Sequence, residues 1–462
     1  MAPIKNETVQ KVPRRILGTL LSSLSGGVVP RVGAPYIAIG RTEEIDALAT
    51  SLDRVADGEG ATKFLIGRYG SGKSFLIQLS RGYALERGFV TADADLSPER
   101  KLSGSGGSGL ATYRELMKNI ASKSSPDGGA LPVILGKWFT KIGADLTAEG
   151  LDPAGEEYGL EFARRIMKNL RELEADVGGF DFASVLRAYY EAWRDDDDLR
   201  QSACLKWLRG EFGTRTEARQ ATGIRSLSII GDDNWYDFLK LFTAFVRLAG
   251  YSGLCLYIDE CVNLYKIPNR ISRENNYEKI LAMFNDTMQG RAPGMMIVFG
   301  GTPQFLEDSR RGLYSYEALR SRLADGRFGG ELRSLMQPVI RLRRLSDSEL
   351  YALVIRLTSL HGEYHKCEPR ATEADMRDFL TQSMTREGAE SMITPREIIR
   401  DYVTLLDLLY TNPDKSFADI LGHVQRTTVS AKIDEAEDGE DGGSSPLAAP
   451  SKPAVTLDDI EF

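Results

Sequence analysis

Cysteine is scarce in this chain. Its 462 residues include four cysteines, Cys204, Cys255, Cys261 and Cys367, and no two form a C-x-x-C pair. That excludes a disulfide-stapled scaffold and leaves no zinc-ribbon spacing. Histidine is scarcer still, at three. Two of the three stand beside a cysteine in the run His361-Gly-Glu-Tyr-His365-Lys-Cys367. A polar helix end running into a loop and a metal site both account for that run, and structural zinc wants a fourth ligand that is not evident nearby. No apolar run approaches the roughly 18 residues of a membrane span. The opening Met1-Ala-Pro-Ile-Lys-Asn-Glu7 has no apolar stretch of the secretory kind. The expectation is a cytoplasmic protein with no membrane partner.

A basic excess is also missing. The chain carries 58 Lys and Arg against 66 Asp and Glu, a net charge of −8. Nine of the acids, and one lysine, fall in the stretch from Asp434 to Phe462, which leaves 57 of each sign elsewhere. A neutral body can still bear a basic face, so overall charge neither supports nor excludes nucleic-acid binding.

Against these absences one stretch stands out. Phe64-Leu65-Ile66 is a short apolar run, Gly67-Arg68-Tyr69-Gly70-Ser71-Gly72-Lys73-Ser74 follows, and Ser74-Phe-Leu-Ile-Gln-Leu continues with a helical pattern. Strand, loop and helix around G-x-x-x-x-G-K-S make a P-loop. The glycines let backbone N–H groups turn inward around phosphate oxygens, and the helix N-terminus adds the positive end of its dipole. Lys73 is placed to reach the β- and γ-phosphates of ATP, and the Ser74 hydroxyl to ligate Mg²⁺.

Further along, Gly253-Leu-Cys-Leu-Tyr-Ile258-Asp259-Glu260 reads as a buried strand ending in two carboxylates. Asp259 suits the Mg²⁺ shell, and Glu260 suits general base for the attacking water. The 139 residues numbered 111–249 separate this strand from the first part of the core, with mostly helical periodicity. Within them the run Asp195-Asp-Asp-Asp198 reads as a solvated loop. The stretch Ser103-Gly-Ser-Gly-Gly-Ser-Gly109 reads as a flexible loop, either plain or a mobile contact for a partner. Near the start, Ile16-Leu-Gly-Thr-Leu-Leu with its basic lead-in reads as an amphipathic helix, either packed on the body or forming an arm for a neighbouring subunit or nucleic acid.

The ordered set of motifs resembles an AAA+ ATPase of the initiator or STAND-adjacent kind. That resemblance assigns Gly40-Arg41, with Thr42 as helix cap, to the segment whose backbone holds adenine. It makes Thr302 the sensor 1 position, with Gln304 as the alternative. It gives the arginine finger to Arg322 or Arg320, and makes Arg396, behind Thr394-Pro395, sensor 2. More closely, Gly67-Arg-Tyr-Gly-Ser-Gly-Lys-Ser-Phe, Leu110-Ala-Thr-Tyr-Arg-Glu-Leu-Met and Thr394-Pro-Arg-Glu-Ile-Ile-Arg look like bacterial ATP-binding proteins of BREX phage defence. The implied fold is α/β, a parallel sheet flanked by helices, with a large helical insertion and a C-terminal helical lid. The implied order is an arm (1–35), core (36–110), insertion (111–249), core (250–345), lid (346–430) and acidic tail (431–462). The tail reads as disordered, its terminal peptide either a docking motif or part of a solubilising tail.

The implied function is ATP and Mg²⁺ use at the interfaces of a homo-oligomer, acting on DNA, a helicase or another defence-system protein. The rival reading is a nucleotide-gated scaffold with little turnover that recruits an effector through the tail. A small-molecule kinase is a third class, and no phosphate-acceptor site is evident for it. Two departures from a generic AAA+ protein are the length of the insertion and the little ordered chain expected after the lid, which argues against a winged-helix DNA-binding domain there.

Overall fold

The computed structural model describes residues 12–104, 106–324, 336–385 and 394–422. The acidic tail lies outside these residues. The sheet has five parallel strands: β1 (Ala61–Ile66), β2 (Val90–Asp95), β3 (Leu254–Asp259), β4 (Met295–Gly301) and β5 (Val339–Arg341), in the order β2-β3-β4-β1-β5. Every residue of β3 and β4 is buried. That is the signature of a parallel sheet covered on both faces, and it is why these strands are continuous apolar runs rather than alternating ones.

Successive side chains go to opposite faces of the sheet. Leu65, Tyr257, Met296 and Val298 join one core, shared with Leu48, Leu52 and Val55 of α2 (Thr42–Ala56) and Leu76 and Leu79 of α3 (Lys73–Glu86). Phe64, Ile66, Leu256, Ile258, Ile297 and Phe299 join the larger core on the other face. Among the described residues, seven helices lie between β2 and β3: α4 (Ser108–Lys118), α5 (Leu131–Ala148), α6 (Glu156–Glu174), α7 (Gly179–Arg194), α8 (Asp198–Leu208), α9 (Arg215–Thr222) and α10 (Trp235–Leu248). They supply much of that second core, including Trp138, Trp207 and Trp235, all fully buried. After β3 come α11 (Val262–Tyr265) and α12 (Arg270–Met288), and after β4 come α13 (Pro303–Glu307) and α14 (Glu317–Leu323).

A third core is separate from the sheet. It joins α1 (Arg14–Ser25) to α15 (Asp347–His365), α16 (Glu373–Thr385) and α17 (Pro395–Thr411) through Leu17, Leu20, Leu24, Val354, Leu357 and Tyr402. Of the two readings of the N-terminal helix, the structure has the packed one. The helices start where cap chemistry places them: Ser346 with Glu349, and Thr394 with Glu397, each close a reciprocal capping box, and Pro395 takes the first position of α17. Asp197 caps α8 from within the aspartate run by accepting from Arg200 N at 3.0 Å.

Two local expectations change. Thr42 is the first residue of α2 and makes no side-chain cap; Arg41 occupies the cap position with its side chain turned inward. The glycine-serine stretch is tied on both sides of its centre. Asn276 Oδ1 accepts from Leu102 N and Ser103 N, both at 2.9 Å. Asp232 accepts from Gly107 N at 2.6 Å and Leu110 N at 2.8 Å, at the start of α4. A carboxylate and an amide distant in sequence supply the partners that the glycines themselves lack.

β1 also carries a buried cation. Lys63 is 5% exposed, and its Nζ donates to the carbonyls of Met336 and Gln337 at 3.0 and 2.9 Å. Burial, with the charge of Arg54 adding to it, lowers its pKa from the ordinary 10.5 to about 8. Between those values the unfolded chain holds a proton that the folded chain has released, so this group makes stability rise with pH from about 8 to 10.5. Lys63→Met is expected to remove that rise, of order 3 kcal/mol over the window. Urea midpoints of both proteins at the two ends of the window measure it.

Candidate nucleotide site

The strand order places the site. The chain leaves β1 for the far edge at β2, steps back through β3 to β4, and then crosses beyond β1 to β5. Connections from β1 and β4 therefore diverge, and a crevice opens at their carboxyl ends, where open parallel sheets bind ligands. The Gly67–Ser74 loop leaves β1 there, and Thr302 leaves β4.

The loop fits a phosphate. Gly72 has φ +94°, and a Cβ there would meet nothing within 4 Å, so the backbone turns left-handed in open space before Lys73 begins α3. Among the described residues, buried Ser71 Oγ has no hydrogen-bond partner, an acceptor and donor held ready in the loop. Lys73 Nζ donates to the Arg68 carbonyl at 3.0 Å, across the loop's own mouth. Burial pulls the Lys73 pKa down, while Asp259 and Glu260 pull it up and Arg396 opposes them.

The acids stand opposite. Ser74 Oγ donates to Asp259 Oδ2 at 2.7 Å, and Asp259 Oδ1 accepts from Glu260 N at 2.8 Å. Both oxygens of a carboxylate that is 7% exposed are thus oriented. Glu260 has φ +54°, rare for a residue with a side chain, and the turn leaves its carboxylate exposed in the recess with Lys73 and Ser74. A hydroxyl and carboxylates are hard oxygen donors, the set that suits Mg²⁺. Ser74 and Asp259 would hold such an ion.

A carboxylate given no role by the motifs joins this set. Asp95 ends β2 in register with Asp259. Burial first, then the charges of Asp259, Glu260 and Asp93, push its pKa up to about 6 against the pull of Arg100. Its adjacency to the β3 acids depends on the strand pairing.

From the other side the C-terminal helices reach the loop. A Cβ on Gly70 would come within 2.6 Å of Thr394, so α17 abuts the P-loop there. Arg396 lies over the Tyr69 ring at 5.2 Å and donates to its hydroxyl at 3.2 Å. Gly40 and Arg41 behave differently. Gly40 has φ +73° and packs against Leu345 and Glu349. Arg41, 4% exposed, donates to the carbonyls of Ser71 at 2.9 Å and Arg343 at 3.0 Å, and lies 3.6 Å from Glu44. Its guanidinium braces the P-loop, and the residue lines the same recess as Lys73.

A family model described as the BREX system ATP-binding protein BrxC/D matches residues 12–425. The chain belongs to that family. The comparison with curated proteins found no match. For this BrxC/D-family chain, the family description carries ATP binding and BREX antiviral defence, and it points to ATPase activity. No helix of the described residues is long and apolar enough to cross a membrane.

The apolar part of the recess was not read from the motifs. Beside Lys73 it is lined by Val28, Val29, Pro30, Ile37, Leu353 and Ile399. Its walls come from the segment after α1 and from α15 and α17. The short run Val28-Val-Pro30 after two glycines was its trace in the sequence. Thr302 and Gln304 line the neighbouring groove with Gly67, Arg68 and Arg396. Thr302 Oγ1 also caps α13, accepting from Phe305 N at 3.3 Å. Arg320 and Arg322 lie elsewhere, exposed on α14. Arg322 donates to Asn285 Oδ1 at 3.2 Å and to the Ala318 carbonyl at 2.6 Å.

Proposed function

We propose that this BREX-family protein is an AAA+ ATPase that binds ATP with Mg²⁺ in the crevice between β1 and β4 and hydrolyses it. The observation that carries the reading is the Ser74–Asp259 hydrogen bond at 2.7 Å, with Glu260 next in the chain. It brings together the two motifs that the metal and the attacking water require, from β1 and β3, which β4 separates in the sheet. Mg²⁺, when bound, supplies charge neutralisation on the phosphates. The Gly67–Ser74 backbone cradles them, Lys73 turns from the Arg68 carbonyl to the β/γ oxygens, and Asp259 orients Ser74. Glu260 accepts the proton of the attacking water. The apolar recess of Val28–Pro30, Ile37, Leu353 and Ile399 takes the base.

In this reading α4–α10 are an insertion in the core, and α15–α17 with α1 form a lid whose Arg396 senses the γ-phosphate. Exposed Arg322, which lines neither the recess nor the neighbouring groove, serves a neighbouring subunit of a homo-oligomer, with Arg320 as the alternative. Arg suits this task because it stays charged and presents a forked donor. Arg322→Ala is expected to keep ATP affinity within about twofold and to lose about 10³-fold in turnover. ATPase assays across protein concentration, beside nucleotide titration, measure both. Normal hydrolysis by Arg322→Ala would move the finger to another residue.

Assembly on DNA, or on a helicase or other defence partner, is the proposed use of the cycle. Steady-state ATP hydrolysis by the full chain, with and without double-stranded DNA, tests it. Stimulation by DNA supports a DNA-coupled ATPase. Tight ATP binding without turnover in either condition would replace it with the nucleotide-gated scaffold.

A further inference from the structure

The third core holds a cluster that the nucleotide chemistry does not use. His361 and His365 are one turn apart on α15, so both imidazoles project from one face of the helix. Asp407 faces them from α17. One ligand atom from each of the three lies within 4.8 Å of the other two. We propose that His361, His365 and Asp407 bind one divalent transition-metal ion of the zinc class, clasping α15 to α17.

The spacing supports this. His361 Nε2 and Asp407 Oδ1 are 3.1 Å apart. Two donors at roughly 2.0–2.1 Å from one tetrahedral ion stand about 3.3 Å apart, so this pair is already at ligand separation. His365 closes by a side-chain turn. Two imidazoles and one carboxylate select zinc, cobalt or nickel over Mg²⁺ or Ca²⁺, and the fourth position is left to water. His361 is 5% exposed while the Asp407 side chain is 49% exposed, so the site is anchored inside and open at its rim. The Tyr410 ring lies 4.0 Å from that of His365.

In the sequence run, Cys367 stands beside the two histidines. The helix ends at His365, and Lys366 with φ +56° turns the chain away, which leaves Cys367 exposed and outside the cluster. The clasp would fix the C-terminal half of α17, the helix whose first turn carries Arg396.

The test uses the full chain, stripped by a chelator, free of nucleotide, in excess Mg²⁺ to fill oxygen-only sites. Co²⁺ is titrated by its visible absorption, and Zn²⁺ by equilibrium dialysis. One equivalent is expected, with a rise in Tm of roughly 2–5 °C at saturating Zn²⁺. His365→Gln and Asp407→Asn should each weaken binding at least tenfold and lose the Tm rise, while Cys367→Ser should change neither. The rise is read within each variant, so any change in metal-free stability does not blur it. Absence of a stoichiometric ion, equal binding by His365→Gln or Asp407→Asn, or loss in Cys367→Ser would each overturn the assignment.

Discussion

Lys73→Ala is expected to weaken ATP binding about 100-fold or more and to abolish hydrolysis. A charge-assisted hydrogen bond is worth about 1.5–3 kcal/mol, and a single bridging ammonium makes more than one of them to the β- and γ-oxygens. Lys73 Nζ donates to the Arg68 carbonyl at 3.0 Å within the same loop, a contact whose loss leaves the sheet and its cores intact. The loss therefore belongs to phosphate binding rather than to folding. Titration with a fluorescent ATP analogue, beside thermal melts, separates the two. Unchanged affinity in a folded Lys73→Ala would remove the P-loop from nucleotide binding in this protein.

Glu260→Gln should give the complementary result. Hydrolysis is expected to fall about 10²–10⁴-fold, the usual contribution of a general base, with ATP affinity nearly unchanged. Glutamine keeps the volume of the side chain and the strained φ of +54° without a new shape to fit, but it cannot take a proton from water. The side chain is exposed in the recess, and the backbone N–H that donates to Asp259 is untouched by the substitution. Steady-state rates with and without DNA for both proteins are the measurement. Equal rates would assign the base elsewhere, with Asp95 the carboxylate in register beside Asp259 on the neighbouring strand.

The P-loop and the acidic strand end were readable because each is a local pattern. A glycine loop between an apolar run and a helix, or two acids after five apolar residues, carries its meaning in consecutive residues. The parallel sheet was readable for the same reason, since continuous apolar strands separated by helices leave few alternatives. Arg41 shows where local reading stops. The resemblance assigned its backbone to adenine and said nothing of its side chain, whose guanidinium ties Ser71 to Arg343, which lies 302 residues along the chain from Arg41. The glycine-serine stretch is similar: Asn276 and Asp232 hold it, and nothing within the stretch announces either partner.

By itself, then, the sequence determined the α/β class, the phosphate loop, the acids that face it and the caps that start α15 and α17, because these follow from short-range backbone sterics and periodicity. Only the tertiary structure decided that the segment after α1 lines the recess beside Lys73, that Asp95 stands in register with Asp259, and that Asp407 rather than Cys367 lies beside the histidine pair. Those are meetings between elements far apart in the chain. They are set by strand order and helix packing, which depend on how all the apolar faces are buried together and on no single local pattern.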